Sequence, residues 1–307
     1  MEANPGGRTR LSPALLNTAG RLLALLGIAF VALEVYDNLE SLQAATAHSS
    51  VFAIGLGAVI YTLALGTLSV AWMVMLNYYQ GSRFSLASCH YCYARSQIAK
   101  YLPGNVFHYA GRYALSRSMG ASDRAILSAT AEELLGVAAV FAVCGTLAAA
   151  LSGDQLEVWS AIPLPGLGLI MAIGMLGGRG LLALPLAGPY RLSGWSPRLL
   201  QSWGLFLLFL LLSLAVVLIL TDQFRDLAGF SQLATLVAAF CLSWLLGFIV
   251  PGAPGGIGVR EAAFILLLDP LGMGTQALSI VLQFRLITIV GDLLFFGSTC
   301  FVRQAAV

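Results

Sequence analysis

The chain has 307 residues, of which 59% are hydrophobic and only 10% are charged. Soluble domains carry about 25% charged residues, so this composition excludes a separate soluble domain and predicts an integral membrane protein over the whole of 1–307. The formal net charge of +2 is weak and dispersed, so it does not indicate a nucleic-acid-binding surface. Apolar runs long enough to span a bilayer recur and predict an all-α polytopic fold with seven or eight transmembrane helices.

The N-terminal part of the chain predicts two spans. Residues 1–12 are polar and include Arg8 and Arg10, like the start of a signal peptide, but no clear small-residue cleavage site follows. We therefore expect 17–36 to be a retained first helix. A second span is predicted over 51–76.

The next segment, 77–121, is rich in cations. The positive-inside rule places it, together with the N-terminus, on the cytoplasmic side of the cell inner membrane. Cys89 and Cys92 form a C-x-x-C motif here. A zinc or redox site would need a second ligand pair or a thioredoxin-like context, and the sequence has neither. It predicts no metal and no cofactor.

A Pro-Gly pair, Pro103 and Gly104, interrupts this segment and precedes a short helical pattern. Asn105, His108 and Arg112 share one face of that helix, since residues three or four apart are neighbours on a helix surface. The pattern predicts a broken helix that directs these side chains into a cavity. The alternative is an amphipathic helix that lies on the cytoplasmic surface.

Five further spans complete the predicted bundle, and four of their charged residues lie at membrane depth. A charge in lipid costs roughly 2.5–3.5 kcal/mol unless it is paired or hydrated, so these residues predict either a polar cavity or structural ion pairs. The spans are 122–151, 159–182, 199–220, 230–250 and 276–302. The charged residues are Glu132 and Glu133 in the first of these spans, and Arg285 and Asp292 in the last.

The second break, within 248–268, concentrates Pro and Gly directly before a charged pair. Non-helical backbone at membrane depth is tolerated only when it is buried in protein or lines a wet cavity. A helix N-terminus after glycines is a site for an anion such as a phosphate. The residues predicted to form this anion site are Gly255, Gly256, Gly258, Arg260 and Glu261. The alternative is an ordinary loop between two spans.

Topology after this break stays open. If 255–268 is re-entrant, the chain has seven spans and its C-terminus lies outside. If 255–268 crosses, there are eight and the C-terminus lies inside. The two breaks occupy similar positions in possible halves 17–182 and 199–302, which is typical of transporters built from repeats.

At these breaks the chain resembles the transmembrane-region family of lysylphosphatidylglycerol synthases, also called flippase-like domain proteins. The matching segments are 97–112, with Lys-Tyr-Leu-Pro-Gly-Asn at its core, and 251–261, with Gly-Gly-Ile-Gly-Val-Arg-Glu at its core. Arg285 followed by Asp292 is a weaker third match. The resemblance implies movement of a lipid with an anionic or sugar-bearing head group between leaflets. It does not imply lipid aminoacylation, which in the family belongs to a soluble C-terminal domain that we do not expect here.

We therefore expect a lipid translocator rather than an enzyme, with a phospholipid or a polyprenyl-phosphate-linked sugar as substrate. A possible partner enzyme or homo-oligomer is left open. One alternative is a non-catalytic membrane subunit of a lipid- or glycan-modifying system. A less favoured alternative is a membrane enzyme that acts on a polyprenyl-phosphate lipid, because the outer loops hold few groups for acid–base catalysis.

Overall fold

A computed structural model describes residues 36, 50–102, 106–152, 197–221, 229–249, 256, 258–269 and 272–302. Within these ranges the chain forms eight α-helices and no strand, so the all-α prediction is confirmed. The predicted spans at 17–36 and 159–182 lie outside the described residues.

Five of the helices are long and apolar enough to cross a membrane. The chain is therefore a multi-pass membrane protein, as its composition predicts. The five long helices are α1 (Val51–Gln80), α4 (Asp123–Leu151), α5 (Pro197–Thr221), α6 (Phe230–Ile249) and α8 (Gly274–Gly297). The three short ones are α2 (Leu86–Gln97), α3 (Phe107–Ser118) and α7 (Val259–Leu268).

Glycines let the long helices approach one another closely, which is how helices pack where lipid removes the hydrophobic driving force. A Cβ at Gly57 of α1 would lie 2.7 Å from the side chain of Ile287 on α8, and one at Gly291 would lie 2.8 Å from the ring of Tyr61. Because later residues of α1 meet later residues of α8, the two helices run parallel.

The short helices α2 and α3 form an antiparallel hairpin. Cys92 of α2 contacts Met119, just after α3, and a Cβ at Gly111 would lie 3.5 Å from the side chain of Ser96. The base of the hairpin lies at the start of α4, where Tyr113 donates a hydrogen bond to Asp123. A 3₁₀ turn, Ile98–Tyr101, extends α2 toward the tip. The hairpin therefore enters the bundle from the N-terminal end of α4.

The helices α6 and α7 form a second hairpin, which enters from the opposite end of α4. At its base the Ser231 hydroxyl donates a hydrogen bond to the Ser152 carbonyl oxygen, 2.5 Å away. Trp244 stacks on Phe141, near the middle of α4. Past the break α7 returns along α6, since Arg260 packs against Gly247. Ten residues of helix rise about 15 Å, so α7 is too short to cross a bilayer.

This arrangement corrects the predicted topology. With a re-entrant 255–268, the last span was expected to end on the side opposite the base of the first hairpin. The far end of α8 lies against α2, where His90 and Ser298 are hydrogen-bonded at 2.8 Å. A re-entrant return is thus combined with a last helix that ends on the side of α2, a combination that the sequence analysis did not consider.

Candidate functional site

The two hairpins meet at one cavity inside the bundle. It holds about 670 Å³ of non-atom space, a volume that includes open space at its mouth. Aromatic and aliphatic residues form the rest of its wall. The polar residues that line it are Tyr61, Tyr93, Gln97, Lys100, His108, Tyr109, Arg112, Glu133 and Arg260. Both interrupted segments therefore contribute to the same site.

Arg112 is the buried cation of the first hairpin. Its guanidinium forms an ion pair with Glu133 of α4 at 2.5 Å, and the Tyr93 hydroxyl donates a 2.7 Å hydrogen bond to the same carboxylate. The guanidinium carbon lies 3.6 Å from the centre of the Tyr93 ring. The Nε of Arg112 has no hydrogen-bond partner among the described residues. This pair excludes an amphipathic surface helix, since α3 directs its cation inward.

Lys100 ties the tip of the first hairpin to α8. Its ammonium lies 2.6 Å from the carboxylate of Asp292, which also accepts a 2.5 Å hydrogen bond from the Tyr101 hydroxyl. The side chain of Asp292 is completely buried. The predicted intramembrane charge at Asp292 is thus neutralised by a cation from the first break rather than left facing the cavity.

Arg260 is the cation of the second hairpin, and its environment differs from that of Arg112. In the described part of the chain no carboxylate lies within ion-pair distance of it. Its guanidinium carbon lies 5.0 Å from the centre of the Trp244 ring. Its Nε is buried without a hydrogen-bond partner among the described residues. Arg260 is the side chain in this cavity that is best placed to receive an anion.

Gly247 and Gly256 flank the Arg260 side chain. A Cβ at Gly247 would collide with its aliphatic stem, and one at Gly256 would lie 2.6 Å from its Nε. Gly256 also has φ +80°, a conformation that glycine adopts without strain. The sequence pattern predicts this glycine in the anion site, and the structure adds a second reason for a glycine here, because the Arg260 guanidinium fills the space beside it.

Glu261 occupies the helix N-terminus that the sequence assigned to a phosphate. Its carboxylate accepts a 2.6 Å hydrogen bond from the backbone N–H of Gly258 and lies 3.6 Å from Arg285. Gly258 has φ +82°. A carboxylate at the start of a helix satisfies an unpaired N–H and complements the helix dipole. Glu261 therefore acts as a cap, and neither it nor Arg285 lines the cavity.

Glu132 and Glu133 are adjacent in sequence but have different surroundings. Glu132 accepts hydrogen bonds from the Tyr79 hydroxyl at 3.2 Å and from the Trp203 indole at 3.3 Å. It packs between α1, α4 and α5, away from the cavity, whereas Glu133 lines it. Two other predicted site residues, Asn105 and Gly255, lie outside the described residues.

His108 lines the cavity one turn before Arg112. Burial, together with the nearby Arg112 charge, holds the pKa of its imidazole well below the ordinary value for histidine. Its Nδ1 is buried without a partner in the described structure. At neutral pH His108 therefore offers an uncharged ring that can donate or accept a hydrogen bond.

The C-x-x-C cysteines pack in the base of the first hairpin. Cys89 and Cys92 are free and buried, and burial raises the pKa of each thiol to about 12. Neither is ionised at neutral pH, so neither is a ready nucleophile or metal ligand. Within the described ranges no group of three His, Cys, Asp or Glu residues is placed to hold a metal ion.

The model of the lysylphosphatidylglycerol synthase transmembrane region matches residues 18–295, which is most of the chain. The chain belongs to this family. No curated protein matches it. The family match places the protein in a membrane-lipid context, and the cavity lies within the matched region.

Several residues that line or shape the cavity were not predicted as site residues from the sequence. Lys100, Gln97 and Trp244 line the cavity, and Gly247 makes room for Arg260. One signal was available, since Lys100 is the single lysine of the chain and lies next to the first break. The role of Gly247 depends on how α7 packs against α6, which spacing along the chain does not reveal.

Proposed function

We propose that the protein moves a lipid with an anionic, phosphate-bearing head group between the two leaflets. The observation that carries this proposal is the meeting of two oppositely directed hairpins at one cavity, where Arg260 has no carboxylate partner among the described residues. Interrupted helices at the bilayer midplane are where many transporters bind their substrates.

The charge of the cavity favours an anion. Lys100, Arg112 and Arg260 line it, and the carboxylates of Asp292 and Glu133 neutralise the first two. Three cations against two paired carboxylates leave one positive charge, at Arg260. A guanidinium presents a planar set of donors that matches a phosphate, and the buried Nε of Arg260 gains a partner when such a group binds.

The arrangement of acids and bases favours transport over catalysis. Glu133 is the single carboxylate among the described lining residues, and it is held by Arg112 and Tyr93. A general base must be free to reach the proton that it removes. The membrane-enzyme alternative therefore has no free carboxylate base in this cavity and would have to use the imidazole of His108, a weak base because burial lowers its pKa, whereas a translocator needs only a polar surface on which the head group can move.

Purified protein in liposomes with head-group-labelled phosphatidylglycerol tests the proposal. Wild-type protein should accelerate exchange of the label between leaflets, and Arg260→Ala should lose most of this activity. The lost charge-assisted hydrogen bond is worth about 1.5–3 kcal/mol, or about ten- to a hundredfold. The matched control is Arg117→Ala, since Arg117 is half-exposed and does not line the cavity. Chemical conversion of the lipid would favour an enzyme, and neither activity would favour a non-catalytic subunit.

We also propose an orientation, with the base of the first hairpin and the N-terminus on the cytoplasmic side of the inner membrane. Support comes from Arg83, Arg95 and Arg117, which lie on the turns and short helices at that end of the bundle. Positive residues in short loops favour the cytoplasmic side.

A further inference from the structure

A second cavity adjoins the first on the far side of Arg260. We call it the apolar slot. It holds about 330 Å³ of non-atom space, open space at its mouth included, and shares Arg260 and Trp244 with the polar cavity. Its apolar lining consists of Val217, Phe240, Phe264, Ile280, Val281 and Phe284. The slot therefore lies between α5 and the second hairpin, with α8 as its third wall.

The slot has almost no hydrogen-bonding capacity of its own. Besides Arg260 and Trp244, the remaining lining residue is Ser243, whose hydroxyl donates a 2.9 Å hydrogen bond to the Phe240 carbonyl oxygen. A polar group without a partner is costly to bury, so the slot suits hydrocarbon. The edge-to-face contact of Phe240 and Phe284, with ring centres 5.4 Å apart, gives it a fixed aromatic wall.

We infer that the apolar slot binds an alkyl chain of an anionic lipid whose phosphate lies at Arg260 and whose head group occupies the polar cavity. The inference rests on the proposed function and adds the position of the chain. The two cavities are joined at Arg260, the one cavity-lining cation that lacks a carboxylate partner among the described residues. A polar end, an anionic junction and an apolar tail in this order match the order of groups in a phospholipid.

Arg260 sets the boundary between the two ends of the ligand. Gly247 and Gly256 let its side chain pass close to the backbone of the second hairpin, and Trp244 covers the guanidinium on one side. A phosphate bound there would keep its head group on the side of His108 and Arg112. Its chain would point toward Phe264. Hydrocarbon from bulk lipid that fills the slot would show no such dependence on a phosphate.

Photolabelling separates specific chain binding from contact with bulk lipid. Wild-type protein in nanodiscs is irradiated with phosphatidylglycerol or with diacylglycerol, which lacks the phosphate, each carrying a diazirine on one acyl chain. Peptides of α7 and α8 that contain Phe264 and Val281 are then read by mass spectrometry. Labelling there should favour phosphatidylglycerol about tenfold, the factor expected from one charge-assisted hydrogen bond. Equal labelling by both lipids would show bulk lipid alone and overturn the inference.

Two variants test the position of the phosphate and the position of the alkyl chain separately. Arg260→Ala should abolish the preference for phosphatidylglycerol while residual labelling continues. Val281→Trp should fill the slot and reduce labelling of Phe264. Its control is Leu278→Trp on the same helix, which faces outward with 46% of its surface exposed and should leave the labelling unchanged. A preference that survives in Arg260→Ala would overturn the assignment of the phosphate.

Exchange of phosphatidylglycerol in the liposome assay keeps this inference separate from the proposed function. Exchange by wild-type protein without labelling in the slot would overturn the chain site and leave translocation standing. Phosphate-dependent labelling without exchange would uphold the chain site and overturn translocation.

Discussion

Arg112 and Glu133 form an ion pair in which the guanidinium side chain is 1% exposed and the carboxylate side chain 8%. The pair joins the first re-entrant hairpin to α4 at the wall of the polar cavity. Breaking a buried pair by removing one partner leaves an uncompensated charge, which costs about 3–5 kcal/mol. The pair therefore holds the hairpin in place as well as shaping the site.

The first prediction concerns this pair. Glu133→Gln should lower the free energy of unfolding in detergent by about 3–5 kcal/mol, and Arg112→Met in the same chain should recover part of the loss. The control cycle uses Arg117 and Asp123, whose side chains are 47% and 44% exposed; its coupling energy should be about 0.2–1 kcal/mol. Independent effects of the Glu133 and Arg112 substitutions would reject the buried pair.

The second prediction concerns Glu132, the neighbour of Glu133 in the sequence, whose removal should cost less stability. Glu132 is held by two neutral donors, Tyr79 and Trp203, so Glu132→Gln leaves no buried cation behind. It should cost only about 0.5–1.5 kcal/mol, the net value of a typical hydrogen bond, in the same unfolding measurement. A loss as large as that of Glu133→Gln would mean that Glu132 neutralises a cation.

Much of the fold follows from local sequence, whereas the pairing of charges does not. The lengths of the apolar runs predicted the five described spans, and the Pro-Gly segments predicted where the helices are interrupted. Both features depend on the backbone of a single segment. The sequence left open whether the charges at membrane depth line a cavity or form ion pairs, and it did not identify Arg112 as the partner of Glu133, since that choice depends on how hairpins pack against α4. The capping role of Glu261 was readable from its spacing of three residues from Gly258.

The third prediction tests the glycines that flank Arg260. Gly247→Ala should destabilise the protein because the new methyl group collides with the Arg260 side chain. Arg260→Ala in the same chain should remove the collision and restore stability, measured by thermal unfolding in detergent. Gly66→Ala is the control, since nothing lies within 4 Å of a Cβ there and alanine favours helix by roughly 0.5–1 kcal/mol. A Gly247→Ala protein as stable as this control would contradict the close packing of Arg260.

The fourth prediction is a pH dependence that comes from His108. Its pKa in the folded protein lies below that in the unfolded chain, so the unfolded state binds more protons below about pH 6.5. Stability should therefore fall as the pH drops below that value, by up to about 1.36 kcal/mol per pH unit. His108→Gln should flatten this slope in unfolding measured from pH 5 to 8. An unchanged slope would show that His108 is charged in the folded protein.

The last prediction tests the direction of α8. Ser85 precedes α2, and Phe301, which is 91% exposed, follows the far end of α8. Because α8 runs parallel to α1 and contacts α2 through His90 and Ser298, cysteines introduced at Ser85 and Phe301 should react with a membrane-impermeant maleimide from the same side. A cysteine at Val51, at the start of α1, should react from the other side.

The labelling is read in right-side-out and inverted vesicles, with exposed Cys300 replaced by serine. If the proposed orientation holds, the Ser85 and Phe301 positions react in inverted vesicles and the Val51 position in right-side-out vesicles. Reversal of all three would overturn the orientation but keep the fold. Reaction of the Phe301 position together with the Val51 position would mean that α8 runs the other way, and the second hairpin would then have to cross the membrane rather than return.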